Sequence, residues 1–338
     1  MTSREIIRAV IEFDDPPRIG RSFPEPYGSD FASASLHNGP RATDWVRVGD
    51  ERWERTDDWG NVWYRGTTST SGEVSRAAIE SWDDLRTYEF PDYTDPARWE
   101  GVAEKVAANA QSENPKWMIG SLPGFPFNVA RYLRRLDNFL ADILLEPERT
   151  TDLLTRVGDV LIEAITRYGR FGHDAIMFCE DWGLQDRLMI DPNMWRAMFK
   201  PHFRRLVGVA RENGLEVFMH SCGKVTDIIP DLIEVGIAVL QFDQQQVHGL
   251  ETLAGWHGEV TFWCPVDIQQ VLPTLDRARI SDWAQRLVDR LGRGGGFIAG
   301  YYGNSQDLGV SREVQDWACE AFLEAGERVS GTFSGKGT

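Results

Sequence analysis

The sequence predicts an α/β protein, a single (β/α)8 TIM barrel with an irregular N-terminal extension, and two observations carry that expectation. From about residue 115, short β-like apolar runs alternate with amphipathic helical stretches, as in a parallel sheet built from βα units. Polar residues then follow directly on five of these runs. They are Glu180-Asp181-Trp182, His220 with Cys222, Asp243-Gln244-Gln245, Cys264-Pro265-Val266-Asp267 and Tyr302-Gly303-Asn304. Successive strands presenting chemistry at their C-terminal ends is the arrangement of a barrel whose βα loops form the active site.

Taken in chain order, Arg4 to Phe13 reads as a helix halted by Pro16-Pro17. The stretch to about residue 100 is rich in Gly, Asp and Trp, notably Asp57-Asp58-Trp59-Gly60-Asn61-Val62-Trp63-Tyr64, and is expected as an extension (1–100) packed on the barrel. The barrel is expected over 101–330 and a flexible tail over 331–338. Its predicted strands are Trp117 to Gly120, Ala175 to Cys179, Val217 to His220, Val239 to Phe242, Val260 to Cys264 and Gly296 to Gly300. Helices are expected over Glu148 to Phe171, Pro192 to Asn213, Val225 to Gly236, Ser281 to Gly292 and Glu313 to Glu327, with Pro192 near a start and Gly214 just past an end.

Composition narrows the function. The 338 residues are 42% hydrophobic and 26% charged, as in an ordinary globular protein, and the net charge of −16 opposes binding to nucleic acid or an anionic membrane. The opening residues carry no apolar signal region, and no run approaches the roughly 18 apolar residues of a membrane span, so a cytoplasmic protein is expected. Four cysteines are too sparse for a disulfide framework; in a reducing compartment, metal binding or catalysis are their special roles.

The most informative pair is His220 and Cys222. On a strand, residues i and i+2 share a face with Cα atoms roughly 6 to 7 Å apart, so imidazole and thiolate can converge on one ion at zinc bond lengths of about 2.1 and 2.3 Å. The bland alternative is a buried, hydrogen-bonded pair in the core. Cys264, ending its own run, is the third candidate ligand. Glu180 and Asp181 place two carboxylates at the mouth, where such a pair can divide into acid and base or hold a metal; Asp181 can equally cap a helix. Asp243 and Asp267 are further candidates for positioning substrate or handling protons, and Trp182, Gln185, Gln241, Tyr302 and Asn304 for lining it, while Trp182 can equally plug the barrel. Cys179 is expected in strand core and Cys319 as a buried helix thiol. Zinc held by one histidine and two thiolates, with a fourth position open, would deprotonate an incoming thiol. A different use is Lewis-acid polarisation of a carbonyl.

In their order, Glu180-Asp181-Trp182-Gly183-Leu184-Gln185, His220-Ser221-Cys222-Gly223-Lys224 with Asp227 to Ile233, Pro265-Val266-Asp267-Ile268-Gln269, and Gly294-Gly295-Gly296-Phe297-Ile298 resemble the uroporphyrinogen decarboxylase superfamily over about residues 100–328. Such relatives are single TIM barrels, and they include corrinoid-dependent methyltransferases that move a methyl group from a methylated corrinoid protein to a thiol. The resemblance implies zinc held by a His-x-Cys pair, here His220 and Cys222, and by a cysteine soon after the Gly-Gly-Gly-Phe strand. This chain reads Gly300-Tyr301-Tyr302-Gly303-Asn304 there, which leaves Cys264, Glu180, water or substrate to complete the site. The decarboxylases instead bind an octacarboxylate tetrapyrrole through an Arg-Gln-Ala-Gly-Arg-Tyr element. Here Arg18-Ile19-Gly20-Arg21 sets two arginines at another spacing.

The expectation is an enzyme of the methyltransferase-like branch, carrying methyl from a corrinoid or other donor to a thiol with zinc as cofactor. Its partners would be a small-molecule substrate and a corrinoid-bearing protein. The alternatives are a metal-free decarboxylase, with Arg18 and Arg21 binding acid groups, and a non-catalytic corrinoid-binding protein.

Overall fold

The computed structural model describes residues 1–66 and 72–333. Strands β1 (Gly20–Arg21) and β2 (Phe31–Ser33) come early, followed by β3 (Val46–Gly49), β4 (Arg52–Thr56), β5 (Val62–Arg65) and β6 (Glu73–Arg76). Six more follow: β7 (Trp117–Ser121), β8 (Ala175–Cys179), β9 (Glu216–His220), β10 (Val239–Gln241), β11 (Thr261–Cys264) and β12 (Phe297–Ala299). The order β1-β12-β11-β10-β9-β8-β7-β2 makes one sheet of eight parallel strands. Its two ends are drawn together by the Asp30 N–H to Arg21 C=O bond of 2.9 Å and by Arg18, whose guanidinium grips both Asp30 carboxylate oxygens at 2.7 and 2.6 Å. The result is a nearly closed TIM-type barrel wrapped by helices.

The division expected near residue 100 does not follow the sheet, because β1 and β2 belong to the barrel wall. What stands apart is the antiparallel sheet β3-β4-β5-β6, which the Trp-rich composition signalled without revealing its strands. The last helix runs Arg312–Phe333, so 331–333 continue it, while the rest of the expected tail lies outside the described residues. The predicted helix over 192–213 is two, Pro192–Met198 and Lys200–Glu212, with Pro201 in the first turn of the second.

Alternation along the strands sorts side chains into two cores. Trp117, Ile119, Ala175, Phe218, Val239 and Ile298 point into the barrel, where Ile6, Ile7 and Val10 of the helix Ser3–Glu12 meet them. That helix starts with a capping box between Thr2 and Glu5, and the Gly296 N–H donates to the Val10 C=O at its far end. It plugs the N-terminal end of the barrel and leaves the C-terminal mouth for chemistry. The opposite faces, including Ile176, Phe178, Val217, Met219, Leu240 and Phe262, pack under the helices. Among the described residues no helix is long and apolar enough to cross a membrane.

Candidate metal centre

His220 ends β9 on the inward-facing parity of Phe218, and Cys222 follows two residues later in the loop. Two glycines hold that loop against the one after β8. A Cβ on Gly223, whose φ is +71°, would lie 2.3 Å from the Gly183 carbonyl oxygen, and a Cβ on Gly183 would lie 2.3 Å from the Gly223 carbonyl carbon. Only glycines permit this approach. The Gly183 N–H to Cys222 C=O and Lys224 N–H to Leu184 C=O bonds, 3.2 and 2.7 Å, fix it.

The contact brings Asp181 over the pair. The His220 Nε2 lies 3.3 Å from the Cys222 Sγ and 3.5 Å from the Asp181 Oδ1, and the Cys222 N–H donates to that same Oδ1 at 3.0 Å. Among the described residues these three form the one group of His, Cys, Asp or Glu side chains whose donor atoms all lie within 4.8 Å of one another. The other imidazole nitrogen is committed elsewhere. Gln241 donates its Nε2–H to the Asp243 Oδ1 at 2.7 Å, which turns its Oε1 towards the His220 Nδ1. The Nδ1 then keeps its proton, and it is the Nε2, facing the thiol and the carboxylate, that gives up its own proton when a metal binds. Outer bonds of this kind fix the tautomer and ring orientation of metal-ligating histidines.

Charge agrees with geometry. Burial opposes a charge on His220, but the Cys222 sulfur together with Asp243 and Asp181 outweighs it, and the pKa is pushed up to about 10. The pocket thus favours a positive charge, whether a proton or a metal ion. The imidazole, thiol and carboxylate offer the donor types zinc takes, so a divalent metal fits these residues.

The other predicted site residues divide. Gln241, expected to line substrate, instead orients His220, and Asp243 holds Gln241; burial raises the Asp243 pKa. Cys264, expected as the third ligand, lies outside this group. Cα pairing aligns His220 with Gln241, Gln241 with Trp263, and Cys264 with Ala299, so Cys264 is one residue out of step and faces the outer core, wholly buried. Burial raises its pKa well above the ordinary thiol value. Glu180 also faces away, for parity sends it opposite to Asp181. Its buried carboxyl receives the Asn128 N–H at 3.2 Å, at the N-terminus of the helix Pro126–Arg134, and burial lifts its pKa well above the carboxylate range. Asp267, wholly buried, accepts the N–H groups of Gln246, Gln269 and Gln270 at 2.7–3.0 Å, which makes it a loop support.

Trp182, expected to line substrate, is fully buried and stacks on Phe127 with centroids 3.7 Å apart. Gln185 is exposed and accepts from Gln269 at 2.8 Å. Tyr302 accepts a bond from Gln315 through its backbone oxygen, and exposed Asn304 precedes a short 3-10 turn; neither contact reaches the cluster. Arg18 is spent on Asp30. Arg21 pairs with the outward-facing Ala299 and lines a cavity of about 400 Å³ with Phe322 and Leu323 on the outside of the barrel, so the acid-binding arginines of the decarboxylase reading are not at the mouth.

Three residues escaped the sequence. Cys179, expected in the core, has the inward parity of Ala175 and Met177, pairs with His220 across the sheet and is exposed. Asn128 and Arg131 sit one turn apart on a helix the chain signals by Pro126 at its start. Arg131 donates to the Asp181 Oδ2 and to the Tyr132 hydroxyl, at 3.3 and 3.1 Å. Asn128, Tyr132 and Cys179 share a cavity of about 360 Å³ with Arg55, Asp57 and Trp63 of the small sheet. The small sheet therefore roofs one side of the mouth.

A nearly closed TIM barrel with a histidine, a thiol and a carboxylate gathered at its C-terminal mouth defines the class of an α/β-barrel protein with a candidate metal centre. The uroporphyrinogen decarboxylase (URO-D) family matches residues 66–301, more than half of the chain, and the chain belongs to that family. Among solved structures, a methyltransferase from Methanosarcina mazei superposes with a TM-score of 0.56 at 17% identity, covering 80% of this chain and 74% of that one. At that identity the likeness is one of fold. A D-psicose 3-epimerase structure in the presence of D-fructose reaches a TM-score of 0.42 at 10% identity, over 68% of this chain and 84% of that one. No curated protein sequence gave a match.

Proposed function

We propose that the chain is a methyltransferase-like enzyme of the uroporphyrinogen decarboxylase superfamily, in which His220 and Cys222 hold zinc and a thiol is the methyl acceptor. One observation carries the reading. The Gln241 bond to the His220 Nδ1 leaves Nε2 facing the Cys222 sulfur at 3.3 Å, as ligation of one ion requires. When bound, zinc supplies thiol acidity, stabilising the thiolate form of a thiol at its open position. The chain's own residues do the rest. Gln241 and Asp243 fix the imidazole, the Gly183–Gly223 contact fixes Cys222, and the cavity of about 360 Å³ beneath the small sheet takes the small-molecule substrate. A methylated corrinoid on a partner protein is the proposed donor.

The test is methyl transfer by zinc-loaded protein from a methylated corrinoid to a panel of small thiols, read as thioether formed. Transfer that disappears in His220→Ala supports the reading. Zinc-loaded protein that methylates none of the thiols, or a His220→Ala variant as active as wild type, contradicts it.

A further inference from the structure

We infer that Asp181 is the third protein ligand of the metal, giving a one-nitrogen, one-sulfur, one-oxygen centre; this rests on the metal reading of His220 and Cys222. The carboxylate is already in place. Its Oδ1 sits 3.5 Å from the His220 Nε2, and the three donor atoms lie within 4.8 Å of one another. No other side chain proposed for the position reaches it. Cys264 belongs to the outer core, Glu180 is committed to the N-terminus of the helix Pro126–Arg134, and Asp243 is tied to Gln241.

The two carboxylate oxygens have separate tasks. Oδ1 faces the histidine and the thiol, and Oδ2 takes the Arg131 guanidinium at 3.3 Å. Asp181 therefore binds through one oxygen while Arg131, whose guanidinium lies 5.5 and 4.8 Å from the ring centroids of Phe127 and Tyr132, holds the other. The Cys222 N–H donated to Oδ1 keeps carboxylate and thiol in register as a unit. Neutral imidazole, thiolate and carboxylate carry two negative charges, which balance a divalent ion and leave its fourth position to an incoming ligand. A carboxylate in place of a second thiolate makes the donor set harder, so cobalt(II) as well as zinc should enter it.

The experiment uses the full chain with zinc or cobalt(II) alone. In chelator competition, Asp181→Asn keeps the size of the side chain and should bind zinc at least about tenfold more weakly than wild type, with an unchanged circular dichroism spectrum. Cobalt-loaded wild type should show sulfur-to-metal charge transfer from a single thiolate, and Asp181→Cys should raise that band. Wild-type zinc affinity in Asp181→Asn, or a cobalt spectrum that Asp181→Cys leaves unchanged, overturns the assignment. Either result beside a Cys222→Ser variant that loses its metal removes Asp181 while leaving the His220-Cys222 site standing. If Asp181→Asn fails to fold, the cobalt spectrum of Asp181→Cys decides.

Discussion

At the level of single residues, the cluster rests on side chains that orient its members. Gln241 is the plainest case, since its amide passes the orientation of Asp243 on to the His220 ring. Gln241→Ala should weaken zinc binding by about 10–100-fold, measured by competition with a chromophoric chelator, and an unchanged affinity would remove its orienting role. The same residues that raise the His220 pKa to about 10 predict that metal displaces protons, because a ligating imidazole must be neutral. Zinc added to weakly buffered protein at neutral pH should release protons to an indicator dye, and zinc affinity should rise with pH. Glu180 gives a separate pH signature. Its folded pKa lies above the ordinary 4.5, so the stability it contributes is complete below that value and is lost as pH rises through the folded pKa. Glu180→Gln should therefore gain in melting temperature over wild type as the pH is raised above about 5, and parallel pH curves would contradict a buried, neutral Glu180.

At the scale of elements, the sequence revealed what period and punctuation encode. Six barrel strands from Trp117 onward and the chemistry at their ends were legible because apolar runs of four or five residues are a local signal. Strands β1 and β2, two and three residues long, carry no such signal and exist because their neighbours hold them. Register was the other hidden quantity. His220 and Cys222 were legible as a pair because their spacing lies within one segment, whereas Cys264 depends on pairing across two strands, and one residue of offset reverses its face. Asp181 and Cys222 meet only because Gly183 and Gly223 abut, which is a fact of tertiary contact. This parity predicts a clean contrast. Cys264→Ser should keep its metal while losing about 1–3 kcal/mol of stability to a hydroxyl in an apolar site, read by urea unfolding. A loss of metal in that variant would place Cys264 in the site after all.

For the whole molecule, the net charge of −16 and the TIM barrel were legible, and the roof of the mouth was not. The small sheet is anchored through Asp58, whose carboxylate pairs with buried Arg98 at 2.6 Å and accepts the Gly39 N–H at 2.9 Å. Arg98→Met should cost about 3–5 kcal/mol, because it strands a buried carboxylate, and a variant as stable as wild type in urea would show the pair to be dispensable. The proposed metal at the mouth of this barrel is tested by the metal content of purified protein, measured by atomic emission. Wild type and Cys264→Ser should carry close to one zinc per chain, and Cys222→Ser almost none. Wild-type protein that stays free of zinc after incubation with the ion, or a Cys222→Ser variant that keeps the wild-type content, would contradict it.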